Sequence, residues 1–190
     1  MTEHSPHAAV PTHLLLLGLR GSGKSTLARI IARLADLPFI DLDEHTLRDL
    51  GVSTVAQAWE TLGEPAFRAA ETTALARAIS APDPSVIALG GGTPTAPGAA
   101  DILREARARH SVFLIYLRLD PDTLRERLAS QPDDPNRPAL TGAGAHDEIR
   151  QIFNQRDHLY RDLADLIIER ATTPEQDASN ILSVWRSQAQ

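Results

Sequence analysis

The chain is 190 residues long, 42% hydrophobic and 23% charged, the length and balance of one soluble globular domain. Nineteen basic against twenty-five acidic residues leave a net charge of −6, and the absence of cysteine excludes disulfide frameworks, zinc–thiolate sites and thiol nucleophiles. That charge argues against a nucleic-acid partner, and apolar runs such as Leu14 to Leu17 are far short of the roughly 18–20 residues of a membrane span.

Residues 1–12 are polar, carry two prolines and have no basic start ahead of the apolar run. They read as a loosely ordered tail rather than a secretory signal, which leaves 13–190 as a single cytoplasmic domain. His13 to Leu17, stopped by Gly18, has the pattern of a buried strand. From Ser25 the residues Leu27, Ile30, Ile31 and Leu34 recur at helical spacing, and that helix is expected to end near Leu37-Pro38. Between the two lies Gly18-Leu-Arg-Gly-Ser-Gly-Lys24-Ser25-Thr26, which fits G-x-x-x-x-G-K-[ST] in the strand-to-helix context that the motif requires. Its glycines let successive backbone N–H groups turn toward phosphate oxygens, and the following helix presents its positive end. Lys24 is the lone lysine beside eighteen arginines, and it falls where a slim ammonium reaches β- and γ-phosphates while Ser25 serves Mg²⁺.

Phe39 to Leu42 is a second candidate strand. Period-two geometry would set Asp41 and Asp43 on one face at the ligand-binding edge of a parallel sheet, unless one of them caps the next helix. Two acids beside a Mg-nucleotide could hold metal waters and accept a hydroxyl proton. Helical stretches follow at Thr46–Leu50, Ser53–Leu62 and Glu64 to Ile79, the last with Pro65 in its first turn. Ser85–Leu89 reads as a third strand ending in Gly90-Gly91-Gly92, either a plain tight turn or a close backbone approach to an anionic ligand.

Ala99–Arg109 looks helical, Val112–Leu117 is the most apolar strand, and Asp120-Pro121 opens a helix running to Ala129 with Asp120 as its cap. Residues 131–145 carry three prolines and two glycines with no period, which fits a mobile lid bearing Arg137. A helix from about Asp147 to Leu163, a strand at Leu166–Ile168 and a helix from Pro174 to about Ser187 complete the chain. Trp185, in register with Ile181 and Leu182, reads as core packing. Arg68 and Arg156 sit on predicted helices, where most arginines are solvated surface residues. Short apolar strands alternating with helices argue an α/β fold with a parallel sheet covered on both faces.

In this order, GLRGSGKST, FIDLDEHT, GEPAFRAAE, ALGGG, NRPAL and RDHLYRDLA resemble the motifs of the shikimate kinase family. These are small P-loop kinases of the nucleoside-monophosphate-kinase-like superfamily, and the resemblance covers about residues 13–187. It implies a three-layer sandwich around a five-stranded parallel sheet in the order 2-3-1-4-5, and transfer of a phosphoryl group from ATP to the 3-hydroxyl of shikimate. It further implies that Gly21, Ser22, Gly23, Lys24, Ser25 and Thr26 hold ATP, with Arg127 against the adenine. Arg68 and Arg156 would grip the shikimate carboxylate, with help from the glycines Gly90, Gly91 and Gly92, Gly91 foremost. Asp43 would orient or deprotonate the attacking hydroxyl, Ser25 and, through water, Asp41 would serve Mg²⁺, and Arg137 would close with the lid onto the phosphates.

The lid departs from the family in reading Arg-Pro-Ala-Leu, and Asp133 and Asp134 precede its arginine. Arg20, at a variable position of the phosphate loop, has no assigned role. A gluconate or nucleotide kinase competes, but a nucleotide kinase lid would carry several arginines, and the D-x-D, FR and GGG segments do not typically occur together in gluconate kinases. A catalytically silent ligand sensor would be expected to lose Lys24, Asp43 or Arg137, and all three are present. With no long apolar stripe left over, a monomer is expected.

Overall fold

A computed structural model describes residues 12–130, 145–169 and 173–188. Arg137, most of the predicted lid and residues 1–11 of the predicted tail lie outside them. Among the described residues, five strands form one parallel sheet in the order β2-β3-β1-β4-β5. The strands are β1 (His13–Leu17), β2 (Phe39–Asp41), β3 (Ser85–Ala88), β4 (Val112–Arg118) and β5 (Leu166–Glu169). The helices are α1 (Lys24–Ala35), α2 (Leu42–Leu50), α3 (Val55–Leu62), α4 (Glu64–Ile79), α5 (Ala99–Ala108), α6 (Pro121–Ala129), α7 (Ala145–Leu163) and α8 (Pro174–Ser187). None of the described helices is long and apolar enough to cross a membrane.

Alternation along β1 builds the layers. Leu14 and Leu16 pack with Leu27 and Ile31 of α1 and Ile181 and Leu182 of α8, while Leu15 and Leu17 face Leu75 of α4, Leu103 of α5 and Phe153 of α7. Every β1 residue is buried, as a central parallel strand covered by helices on both faces must be. Each fully buried leucine there contributes about 1.5–3 kcal/mol through lost apolar exposure. Trp185 packs against the α1–α8 side, as expected. A small third cluster of Leu47, Val55, Ala58 and Phe67 stands beside the sheet.

Local signals set the element ends. Asp36 turns left-handed after α1 and returns its N–H to Ala32 O, just before Pro38. Asp120 caps α6 by accepting from the N–H groups of Asp122 and Thr123, and Thr173 with Gln176 forms a reciprocal capping box on α8. Most element ends shift by a residue or two from the sequence reading, and one such shift bears on the site. β2 ends at Asp41, and Leu42 already opens α2, so Asp41 and Asp43 do not share a strand face. Leu42 is fully buried and Thr46 and Leu47 follow it inward, a helical spacing that holds Asp43 and Glu44 in the first turn of α2.

Candidate active site

The carboxyl ends of the strands open onto a cleft of about 440 Å³, the edge where ligands bind in such sheets. The phosphate loop forms one wall. Gly21 and Gly23 take φ of 81° and 91°, so the chain curls into α1 through backbone angles that side chains other than glycine rarely adopt. Gly23 is the N-cap of α1, and its carbonyl accepts from Leu27 N at 3.0 Å. The first N–H groups of α1, from Lys24, Ser25 and Thr26, have no acceptor inside the helix and are the donors a phosphate would take. Lys24 is buried, and its ammonium donates to Leu19 O at 3.1 Å within the same loop. Ser22 is fully buried, and its carbonyl accepts from Arg127 Nη1 at 3.4 Å. Arg127 therefore reaches the phosphate loop from the end of α6.

Ser25 Oγ donates to Asp41 Oδ2 at 2.9 Å. This contact explains why Asp41, at the N-cap position of α2, makes no side-chain cap bond. The paired hydroxyl and carboxylate are hard oxygen donors, which suits Mg²⁺, an ion that takes one or two protein oxygens and completes its shell with water and phosphate.

The opposite wall is built by α4, α7 and the glycine turn after β3. Arg68 Nη1 donates to Glu71 Oε2 at 2.6 Å, and its Nε and Nη2 donate to Glu64 Oε1 at 3.2 and 3.1 Å. The guanidinium also lies 5.7 Å from the Trp59 ring centroid. Glu71 is 1% exposed and takes a further hydrogen bond from Thr93 Oγ1 at 2.7 Å. Arg156 Nη1 donates to Gly91 O at 2.9 Å, and Tyr160 Oη donates to the same oxygen at 2.7 Å.

Asp43 lies between the two walls. Burial, reinforced by the charges of Glu71 and Asp41 and partly offset by Lys24 and Arg68, pushes its carboxyl up to about 7. Such a group can hold or release a proton near neutrality.

Both sequence readings of the glycine triplet contain part of the answer. It is a turn, leading into a single 3₁₀ turn over Thr93–Thr95. It is also a close approach, though to protein side chains: a Cβ on Gly90 would collide with Asp43 Oδ1, and one on Gly92 would lie 2.5 Å from Arg68 Nη1. The carbonyls of the triplet accept hydrogen bonds here, from Thr93 N to Gly90 O at 3.2 Å and from Thr95 N to Gly92 O at 2.9 Å.

Lys24, Ser25, Thr26, Asp41, Asp43, Arg68, Gly91, Gly92 and Arg156 all line the one cleft, as do Gly21 and Gly23. Arg20 lines it too, and its backbone N would lie 3.0 Å from a Cβ on Gly91, so phosphate loop and glycine turn are in contact. Sequence reasoning gave no role to Glu71, Thr93, Trp59 or Tyr160. Glu71 had left a signal, because it falls on the buried stripe of α4 with Phe67, Ala74, Leu75 and Ala78. A carboxylate on an apolar stripe needs a partner, and Arg68 stands one turn before it.

Comparison with known proteins agrees with this geometry. The shikimate kinase family model matches residues 20–186. Shikimate kinase 2 of Enterobacter sp. (strain 638) is 39% identical over 173 residues, covering 91% of this chain and 95% of that protein. The shikimate kinase of Rhodopirellula baltica is 39% identical over 163 residues, covering 84% and 82%. Among solved structures, the shikimate kinase from Acinetobacter baumannii in complex with shikimate superposes with a TM-score of 0.82 at 29% identity, covering 93% of this chain and 94% of that one. The chain belongs to the shikimate kinase family.

Proposed function

We propose that this protein transfers the γ-phosphoryl group of ATP to the 3-hydroxyl of shikimate, giving ADP and shikimate 3-phosphate. The observation that carries the reading is one cleft with a phosphate loop on one wall, two arginines on the other and Asp43 between them. A pair of guanidinium groups suits a carboxylate, which they bind in directional, charge-assisted geometry. With the carboxylate held by Arg68 and Arg156, a ring hydroxyl is directed toward Asp43 and the phosphate loop.

In the reaction the hydroxyl oxygen forms a bond to the γ-phosphorus, the bond to the β,γ-bridging oxygen breaks, and ADP leaves. The hydroxyl proton passes to Asp43, whose affinity near 7 suits a base working at neutral pH. Lys24 and the N–H groups at the start of α1 hold the β- and γ-phosphates, and Arg127 braces the loop through Ser22 O, with its side chain also assigned to the adenine. Ser25 and, through water, Asp41 would hold Mg²⁺, which supplies charge neutralisation on the phosphates when bound. Arg137 is assigned to the lid that closes over the phosphates and keeps water from accepting the phosphoryl group. The same reading takes 13–190 as one domain, acting as a cytoplasmic monomer.

ADP release from Mg-ATP, measured with and without shikimate, tests the proposal. Stimulation by shikimate, with none by gluconate or nucleoside monophosphates, is the expected result. No stimulation by shikimate while ATP still binds would overturn it.

A further inference from the structure

The face of α7 toward the cleft repeats a pattern one helical turn apart. Arg156 and Tyr160 both donate to Gly91 O, at 2.9 and 2.7 Å, which fills the two lone pairs of that carbonyl. The adjacent pair, Asp157 and Arg161, ties α7 to β4. Asp157 Oδ1 accepts from Tyr116 Oη at 2.8 Å and Arg118 Nε at 2.9 Å, while Oδ2 accepts from Arg161 Nε at 2.9 Å. Tyr160 is 0% exposed, and its ring meets Tyr116 edge-on with centroids 5.5 Å apart. Tyr160 is thus rigidly seated against the sheet, and its hydroxyl fixes a point outside its own helix.

That point matters because the glycine turn touches both arginines. Gly91 O holds Arg156, and Gly92 packs directly against the Arg68 guanidinium. The turn is the spacer between the two cations.

We propose that Tyr160 is a positioning residue for the acceptor site: by anchoring Gly91 O it sets the span between Arg68 and Arg156, and so the fit to the substrate carboxylate. This rests on the assignment of that carboxylate to the two arginines. When a carboxylate draws Arg156, the Tyr160 hydroxyl keeps Gly91 O satisfied and the turn in place. Without it, the arginine alone must hold the turn and bind the ligand.

The test compares wild type with Tyr160→Phe and Tyr116→Phe, using shikimate and its carboxamide analogue as acceptors. Tyr160→Phe is expected to raise the KM for shikimate about tenfold, the effect of one lost buried hydrogen bond, with kcat and the KM for ATP within about threefold of wild type. The penalty should shrink for the carboxamide, which offers the arginines no charge. Tyr116→Phe keeps the Gly91 contact and is expected to leave the shikimate KM near wild type. An unchanged shikimate KM in Tyr160→Phe overturns the inference, as does an equal penalty on both acceptors or an equal effect from both variants. Wild type that turns over no shikimate would instead overturn the functional reading, and this inference with it.

Discussion

Arg68 and Glu71, one helical turn apart on α4, meet through a 2.6 Å hydrogen bond with side chains 14% and 1% exposed. The carboxylate holds the guanidinium in the cleft before any ligand arrives, while Glu64 accepts from its Nε and Nη2 on the solvent side. Under the proposed function the arginine therefore has two duties, one to the acceptor and one to a buried acid.

Arg68→Ala should show both. The KM for shikimate should rise by at least about a hundredfold while that for ATP changes little, since charge-assisted bidentate contacts are among the strongest polar ones. The same variant leaves Glu71 with Thr93 alone, and denaturant unfolding should show a loss of about 3 kcal/mol. Steady-state titrations in which ATP affinity suffers most would contradict this assignment.

Lys24→Ala tests the other wall. Turnover should fall about a hundred- to a thousandfold, as when one donor to developing charge is removed. Shikimate binding, followed by calorimetry, should persist, because no acceptor contact is assigned to Lys24.

Asp43 links pH to both activity and stability. With its carboxyl raised to about 7, kcat/KM for shikimate should climb as pH rises through that value and level off above it. Stability runs the other way. The proton is held more tightly in the folded protein than at the ordinary carboxylate value of 3.8, so this contribution is full below 3.8 and is lost as pH rises through about 7. Asp43→Asn should abolish turnover yet melt higher than wild type at pH 8, by about 2–4 °C per kcal/mol of burial cost and repulsion relieved. Melting curves with no gain at pH 8 would argue against a buried, strained charge at Asp43.

His13 is an opposite case, at the start of β1, the end of the strand away from the phosphate loop. Its Nε2 donates to Ala81 O at 3.1 Å, so in the neutral ring Nδ1 accepts from Ser85 Oγ at 2.8 Å. Burial lowers its proton affinity below the usual 6.5. The neutral ring is thus favoured by folding, and its contribution, present above about 6.5, is lost as pH falls below that value. Between pH 7.5 and 5.5 the Asp43 contribution acts the other way in both proteins, so the urea midpoint of His13→Gln should gain relative to that of wild type as pH falls.

The amino-acid order by itself determined the elements and the phosphate loop. Leu14–Leu17, the Leu27–Leu34 stripe and the Asp120-Pro121 cap are local patterns, and backbone geometry reads such patterns within a few residues. G-x-x-x-x-G-K-S likewise carries its chemistry in consecutive backbone groups, so Lys24 and Ser25 could be assigned before any fold was known. The tertiary structure decided what depends on separate elements meeting. Burial of Leu42 turned Asp43 from a strand residue into the first turn of α2. Helix α7 brought Tyr160 to Gly91, sixty-nine positions away, and the turn after β3 brought Thr93 to Glu71. Nothing in the spacing of those residues encodes the contacts, because a hydrogen bond between elements depends on where packing sets both partners, not on the distance along the chain.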